Sequence, residues 1–145
     1  MARRYVLNRA NVTPNTTDDL LTIKAAASKV CIVKRIRLGG LATASTKMRT
    51  IIRRSSGGTT PGGAATPMKT NSSDGAAETS GYTTWATQPT LDSTSGYEEA
   101  WNAFGGGFDL TLDGREIVLV NAEQLSIRQA EGTGALNLDV EIEEW

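Results

Sequence analysis

The sequence contains no histidine and a single cysteine, Cys31. The first absence removes every triad or dyad that uses imidazole as its base, and the common zinc sites built on Cys and His. The second removes an intrachain disulfide. Inside "KVCIVKRIRL" Cys31 reads as a small packed side chain rather than a nucleophile, because no candidate base is in view. Long hydrophobic runs are missing as well. The longest large-aliphatic runs, "VCIV" and "IVLV", have four residues each, against the roughly 20 that a membrane helix needs. "MARRYVLNRANV" lacks the apolar core of a secretory signal, so the expectation is a soluble chain, made in the cytoplasm, with no membrane partner.

Charge of one sign is scarce in each half. Residues 1–69 hold thirteen of the fifteen Lys and Arg against Asp18 and Asp19, whereas residues 70–145 hold fourteen acids against Arg115 and Arg128. Such a split raises the question of nucleic acid or of a charged assembly partner. The preferred reading is that early and late strands pair side by side and the opposite charges meet across them. Any leftover patches would favour and orient docking onto a neighbouring subunit. A sheet that binds single strands would interleave exposed aromatics with its cations. Here Tyr5 is the only aromatic before residue 82, and the pI is near 5.5. No direct nucleic-acid partner is expected.

What is present is period two. In "ALNLDVEIEE" Leu136, Leu138, Val140 and Ile142 alternate with Asn137, Asp139, Glu141 and Glu143, which predicts a strand with one wet face. "FDLTLDG" repeats the pattern, and Asp113-Gly114 reads as a hairpin turn. The return strand "REIVLV", apolar on both faces, suits a central position. With "LSIRQA", residues 107–143 read as four successive antiparallel strands. In "KVCIVKRIRLGG" Val30, Ile32, Ile36 and Leu38 fall on one face. "TKMRTIIRR" offers Met48 and Ile52. "TTDDLLTIKAAASK" could start a helix at Thr17, but a strand at 20–26 turning into 29–38 is preferred, because its β-rich neighbours need partners. "YTTWAT" and "SGYEEAWNAFGGG" add further strands or turns. About eight to ten short strands, no convincing long helix and 145 residues predict an all-β fold: one antiparallel β-sandwich domain of jelly-roll type spanning 1–145. Residues 1–12 read as an N-terminal arm and 55–82, rich in Gly, Pro, Ser and Thr, as an extended loop. A split at that loop would leave a first piece with too little core to stand alone.

The stretch "GGTTPGGAATP" (57–67) invites a phosphate cradle, yet no lysine follows its glycines and Pro67 is hostile to the helix such a loop must open. Gly105-Gly106-Gly107 leads into a strand and meets the same objection. Glu98 with Glu99, and Glu143 with Glu144, are neighbours on strands and point to opposite faces, so they cannot converge on one bond. Asp109 with Asp113 reads as solvated charge. Asp74-Gly75 and Asp113-Gly114 lack the spacing of a calcium loop. No catalytic residue, metal or cofactor is expected. Trp85, Trp101 and Trp145 could line a sugar-binding face, but such residues more often anchor cores and interfaces. A terminal tryptophan frays unless covered, and a neighbouring subunit is the economical cover for Trp145.

The succession "LLTIKAAASKVCIVKRIRLGG", "IIRRSSGGTTPGGAATP", "WATQPT", "NAFGGGF" and "NAEQLSIR" resembles small virion proteins of tailed bacteriophages, and among them the jelly-roll cement or decoration proteins of the head. The resemblance implies a non-enzymatic protein on the outer surface of the capsid. It would clamp neighbouring major capsid subunits against internal DNA pressure and bind as a homo-dimer or homo-trimer. β-Sandwich tail or fibre proteins, or a carbohydrate-binding module for host attachment, are the alternative. On this reading Arg3, Arg4 and Tyr5 form an arm. The segment with Gly57, Gly58, Pro61, Gly62, Gly63 and Pro67 reaches a neighbour main chain first, and Trp145 packs against it. Prolines would hold that segment extended and limit the entropy lost on docking. The other reading of the segment is a disordered surface loop.

Overall fold

The computed structural model describes residues 1–145, the side chains of 93–95 excepted. The strands in chain order are β1 (Arg3–Val12), β2 (Asp19–Lys24), β3 (Val30–Gly40), β4 (Lys47–Ser56), β5 (Thr59–Ala65) and β6 (Met68–Lys69). They continue as β7 (Ser80–Thr87), β8 (Thr90–Asn102), β9 (Gly107–Thr111), β10 (Ile117–Val120), β11 (Gln124–Glu131) and β12 (Leu136–Glu144). One sheet runs β10-β3-β12-β1-β6 with β9 also on β3, and the other runs β5-β7-β2-β11-β4-β8. The fold is the all-β antiparallel sandwich that the alternation predicts. No helix of the described residues is long and apolar enough to cross a membrane.

The period-two strands supply the core. Leu136, Leu138, Val140 and Ile142 of β12 are buried with Tyr5 and Leu7 of β1 and Ile36 and Leu38 of β3. Across from them the second sheet contributes Leu21 and Ile23, Leu125 and Ile127, and Met48 and Ile52. Each such side chain stabilises the fold by about 1.5–3 kcal/mol relative to exposure.

Four sequence expectations are corrected. Arg3–Val12 is not an arm: it lies between β12 and β6, with Arg3 opposite Glu144 and Tyr5 opposite Ile142. The alternation of Tyr5 and Leu7 with Arg4, Val6 and Asn8 already carries the strand signal. Nor is 55–82 one loop. Gly57-Gly58 turns the chain, β5 pairs β7 from Thr59 to Ala65, β6 pairs Tyr5 and Val6, and the longest stretch outside strands is 70–79. Small residues that cannot fill a core can still pair their main chain.

The third correction concerns Asp113-Gly114, which is no hairpin turn. β9 pairs Arg35–Gly39 and β10 pairs Val30–Val33, so the two are collinear halves of one strand along β3, interrupted by a loop at 112–116 opposite Lys34. Leu112 anchors that loop in the core, its N–H donating to Lys34 O at 2.9 Å. β10 therefore lies at a sheet edge rather than centrally, and the Arg54 side chain covers its edge by donating to Val118 O at 2.7 Å. Fourth, β3 changes face at Lys34. The register with β12 slips there, so Cys31 and Val33, rather than Val30 and Ile32, share the core side with Ile36 and Leu38. One inserted residue flips every side chain beyond it.

The second sheet also curls. β4 and β5 are separated by three strands, roughly 19 Å of sheet, yet only Gly57 and Gly58 join them. β7 and β8 are joined as briefly, by Gln88 and Pro89. β7 pairs β2 only at Ser80–Tyr82; still paired with β5, it then crosses the outer face of β2 and β11. Gly57 and Gly58 make the corner at φ +71° and +85°, and a Cβ on Gly58 would stand 2.7 Å from the Trp85 ring. Gly58→Ala should therefore cost about 2 kcal/mol through the left-handed backbone and the displaced indole, read as a lower urea midpoint at unchanged m-value.

Candidate functional site

Charge comes first, because it decides which partners the surface can attract. The basic strands β3 and β4 lie beside the acidic late strands, and the ion pairs run across the split. Lys34 meets Glu116 (2.8 Å), Arg35 meets Asp109 and Glu141, and Arg37 meets Asp139 (3.0 Å). On the other sheet Lys47 meets Glu131 (3.0 Å), Arg49 and Arg53 meet Glu98, and Arg54 meets Glu123 (3.0 Å). Arg4 meets Glu143 and Lys29 meets Glu78. The hydrogen bond from Arg35 holds the Asp109 carboxyl below its usual range, and that from Lys34 does the same for Glu116. The Val120 N–H, with Arg54 adding, lowers Glu123. Exposed pairs are individually worth little. Their consequence here is that nine of the thirteen Lys and Arg of residues 1–69 face a carboxylate.

One pair runs the other way and is buried. The Asp19 carboxylate, on the outer face of β2, takes Nε and Nη2 of Arg128 on one oxygen at 2.7 Å. Its other oxygen accepts from Thr22 Oγ1 at 2.6 Å and from Ser126 Oγ. The crossing ribbon of β5 and β7 closes over this cluster and is bonded into it. Trp85 Nε1 donates to Thr22 Oγ1 (2.9 Å) and Arg128 Nη2 to Pro89 O (3.0 Å). Asp19 N–H donates to Gln88 Oε1 (3.0 Å), and Gln124 Nε2 to Gly57 O (3.3 Å). Every charged group there has partners, so the cluster fixes the ribbon in place.

A second buried carboxylate, Glu144, ties down the loop 70–79. Both its oxygens accept the Glu78 N–H at 3.0–3.1 Å, and Oε2 accepts the Thr79 N–H at 2.6 Å. Tyr5 Oη donates to Gly75 O in the same loop. Glu143, its neighbour, points outward to Arg4, as opposite faces of a strand require. Beside Glu144, burial pushes the Cys31 thiol up to about 11; the Glu144 charge adds to the rise and a hydrogen bond with Thr79 opposes it. A raised folded value favours the neutral thiol. Its stabilisation is complete below the unfolded value of 9.0 and is lost as pH climbs through about 11. The depressed carboxylates act at the other end, contributing above their ordinary range and fading as pH falls through their lowered values. Thermal melts across pH should show both declines, and Cys31→Ser should lessen the alkaline one, leaving the part that comes from Lys34 losing its charge beside Glu116.

The residues singled out from sequence divide accordingly. Tyr5 is fully buried, so it belongs to the core and not to an interface. Arg3 and Arg4 of β1 are exposed. Gly57 and Gly58 form the corner; Pro61, Gly62 and Gly63 lie in β5, with Pro61 opposite Trp85; and Pro67 precedes β6. Trp145 is 56% exposed, its main chain paired with Val30 and its indole N–H donated to Glu143. Of the three tryptophans, Trp101 is withdrawn from any sugar-stacking face. It is buried edge-on to Phe108, its N–H given to Thr50.

β5 is the feature that can bind. It ends its sheet, it is largely exposed, and no residue from Gly57 to Met68 is charged. Sheet edges are ordinarily blunted by lysine or inward charge; β5 carries only Pro61 for that purpose. Beside it a groove of about 540 Å³ separates Gly63–Ala65 from Asn8–Thr13. Among the described residues no three His, Cys, Asp or Glu side chains are grouped to hold a metal ion. Sequence reasoning missed Asp19, Arg128 and Glu144, although Asp19 and Arg128 are exceptions to the charge split. Comparison with protein families, with curated proteins and with solved structures finds no match to this chain.

Proposed function

We propose that this chain is a structural virion protein of the head cement or decoration type, bound to the outer surface of the major capsid shell and bridging neighbouring capsid subunits. The observation that carries the reading is the uncharged, exposed edge strand β5. Its glycines and alanines let another main chain approach, and an added strand gains ladder hydrogen bonds without displacing charged side chains. Because the ribbon is bonded to the body through Trp85, Gln88 and Pro89, the edge is held in its binding geometry and little ordering entropy remains to be lost. Exposed Arg3, Arg4 and Trp145 are the remaining candidate contacts. The protein is made in the host cytoplasm, acts without chemistry and engages a protein surface.

The test mixes purified protein with expanded shells that lack decoration and follows co-sedimentation. Saturable binding at a fixed ratio to the major capsid protein is expected. Thr59→Lys with Ala64→Lys, both at exposed positions, should fold normally and lose that binding. A well-folded wild-type chain that stays in the supernatant ends the reading.

A further inference from the structure

Two strand edges without partners face each other across one groove. β6 pairs β1 only at Tyr5 and Val6, so from Leu7 to Val12 that side of β1 has no neighbouring strand. β5 ends the other sheet, and its Gly63–Ala65 stretch forms the opposite wall. The chain runs from β5 through Thr66 and Pro67 into β6, so the walls meet beside Val6 and part from Asn8 onward. Asn8–Thr13 offers about 17–20 Å of wall, room for an extended segment of about five residues.

Arg9 stands between these walls. It shares the inward face of β1 with the buried Tyr5 and Leu7. Among the described residues it meets no carboxylate, and its Nη1 donates to a neutral acceptor, Leu20 O. The acids that border a neighbouring hollow with it, Asp18 and Asp19, are engaged elsewhere. Asp19 holds Arg128, and Asp18 accepts from Asn15 Nδ2 and Thr17 Oγ1. Burial pushes the Arg9 guanidinium below its ordinary value, and no opposite charge offsets that. The lining of the groove contains no other charged residue.

Resting on the reading of β5 as the binding edge, we propose that this groove takes one extended segment of the partner protein, paired to the free edges of β5 and β1, with an acidic side chain seated on Arg9. Main chain on both walls selects an extended peptide over a helix or a free anion. The single cation selects the acid. A carboxylate accepts charge-assisted hydrogen bonds from a guanidinium, whereas a neutral or basic residue there would leave the partly buried Arg9 charge unanswered. A phosphate backbone would need a row of cations, and the groove holds one. The bond to Leu20 O keeps the guanidinium in position before the segment arrives.

The test uses the isolated protein and capped Ser- and Thr-rich peptides of about nine residues, an ordinary strand length, with Glu, Gln or Lys at the centre. Amide and Arg9 Nε–H resonances are followed by NMR. The Glu peptide should give saturable shifts confined to 7–13 and 59–66. The Gln peptide should bind about tenfold more weakly, and the Lys peptide more weakly still. Arg9→Gln should bind the Glu and Gln peptides alike, and Arg9→Lys, which keeps the charge, should retain part of the preference; the three peptides on wild-type protein decide the matter even if Arg9→Gln unfolds. No shift at about millimolar Glu peptide, equal binding of the Glu and Gln peptides to the wild type, a preference that survives in Arg9→Gln, or shifts centred elsewhere each overturn the proposal. So does acetate moving Arg9 Nε–H while the peptides move nothing, which would make this a small-anion site. Shells separate the two readings. Wild type that co-sediments with shells but ignores the acid keeps β5 as the edge and removes Arg9 from it, whereas wild type that takes the Glu peptide but not shells keeps the groove and ends the capsid reading.

Discussion

Asp19→Ala is expected to lower the unfolding free energy by about 3–5 kcal/mol, against the 5–15 kcal/mol typical of a whole domain. Removing the carboxylate strands the Arg128 guanidinium, whose side chain is only 16% exposed. It also takes the acceptor from Thr22 and Ser126. What remains for the guanidinium is Pro89 O, one neutral partner for a buried cation. Asp19→Asn keeps the shape and an acceptor oxygen and should cost less. Asp19→Val combined with Arg128→Met should recover much of the loss, because an apolar pair of similar volume no longer buries an unpaired charge. Urea unfolding of the four proteins supplies the comparison. Hydrogen exchange adds a local readout: amides of 59–65 and 81–87 should lose protection first in Asp19→Ala, since the cluster holds the ribbon down. If Asp19→Ala costs under about 1 kcal/mol, the pair behaves as a surface ion pair and the ribbon is held by its strand pairing alone.

That pair also marks how far the sequence can be read. The architecture was legible where alternation was unbroken: β12, β11 and β4 follow directly from Leu136–Ile142, Leu125–Ile127 and Met48–Ile52. It was lost where one residue interrupts the period. Nothing in "VCIVKRIRL" says that Lys34 is a bulge, because apolar residues stand at both parities before it. The Asp-Gly at 113–114 carries the local chemistry of a hairpin, but the strand that accepts both halves is β3, some eighty residues earlier. Pairing at that distance leaves no local mark. The charge split reads as cross-strand complementarity, and the pairs of Arg35, Arg37, Arg49 and Arg54 are that. Its exceptions held more information than its rule. Of the two acids in the basic half and the two cations in the acidic half, Asp19 and Arg128 are the pair that folding joins. The glycine-rich stretch misleads in the opposite way: its small residues and prolines read as an extended loop, whereas β5 needs only main chain to pair β7.

Glu144→Ala is the second large effect. Its carboxylate is 3% exposed and accepts the N–H groups of Glu78 and Thr79. Leaving two donors without acceptors beside a core costs about 1–3 kcal/mol each, so a loss of about 2–4 kcal/mol is expected. Part of it should be avoided by the release of residues 70–79 into water, and that release is what distinguishes a latch from a general core defect. Limited proteolysis should cut Glu144→Ala between 70 and 79 under conditions that leave the wild type and Leu138→Ala intact, although Leu138→Ala is as destabilised globally. Glu144→Gln, which keeps one acceptor oxygen, should fall between. It should also let the Cys31 thiol ionise at lower pH than in the wild type, because the Glu144 charge helps to hold that thiol neutral; alkaline titration of thiol absorbance reads this directly. Cleavage at 70–79 that follows global stability alone, with the Cys31 titration unmoved in Glu144→Gln, would show that the loop is held by Tyr5 and its own turns and that Glu144 is an ordinary buried acid.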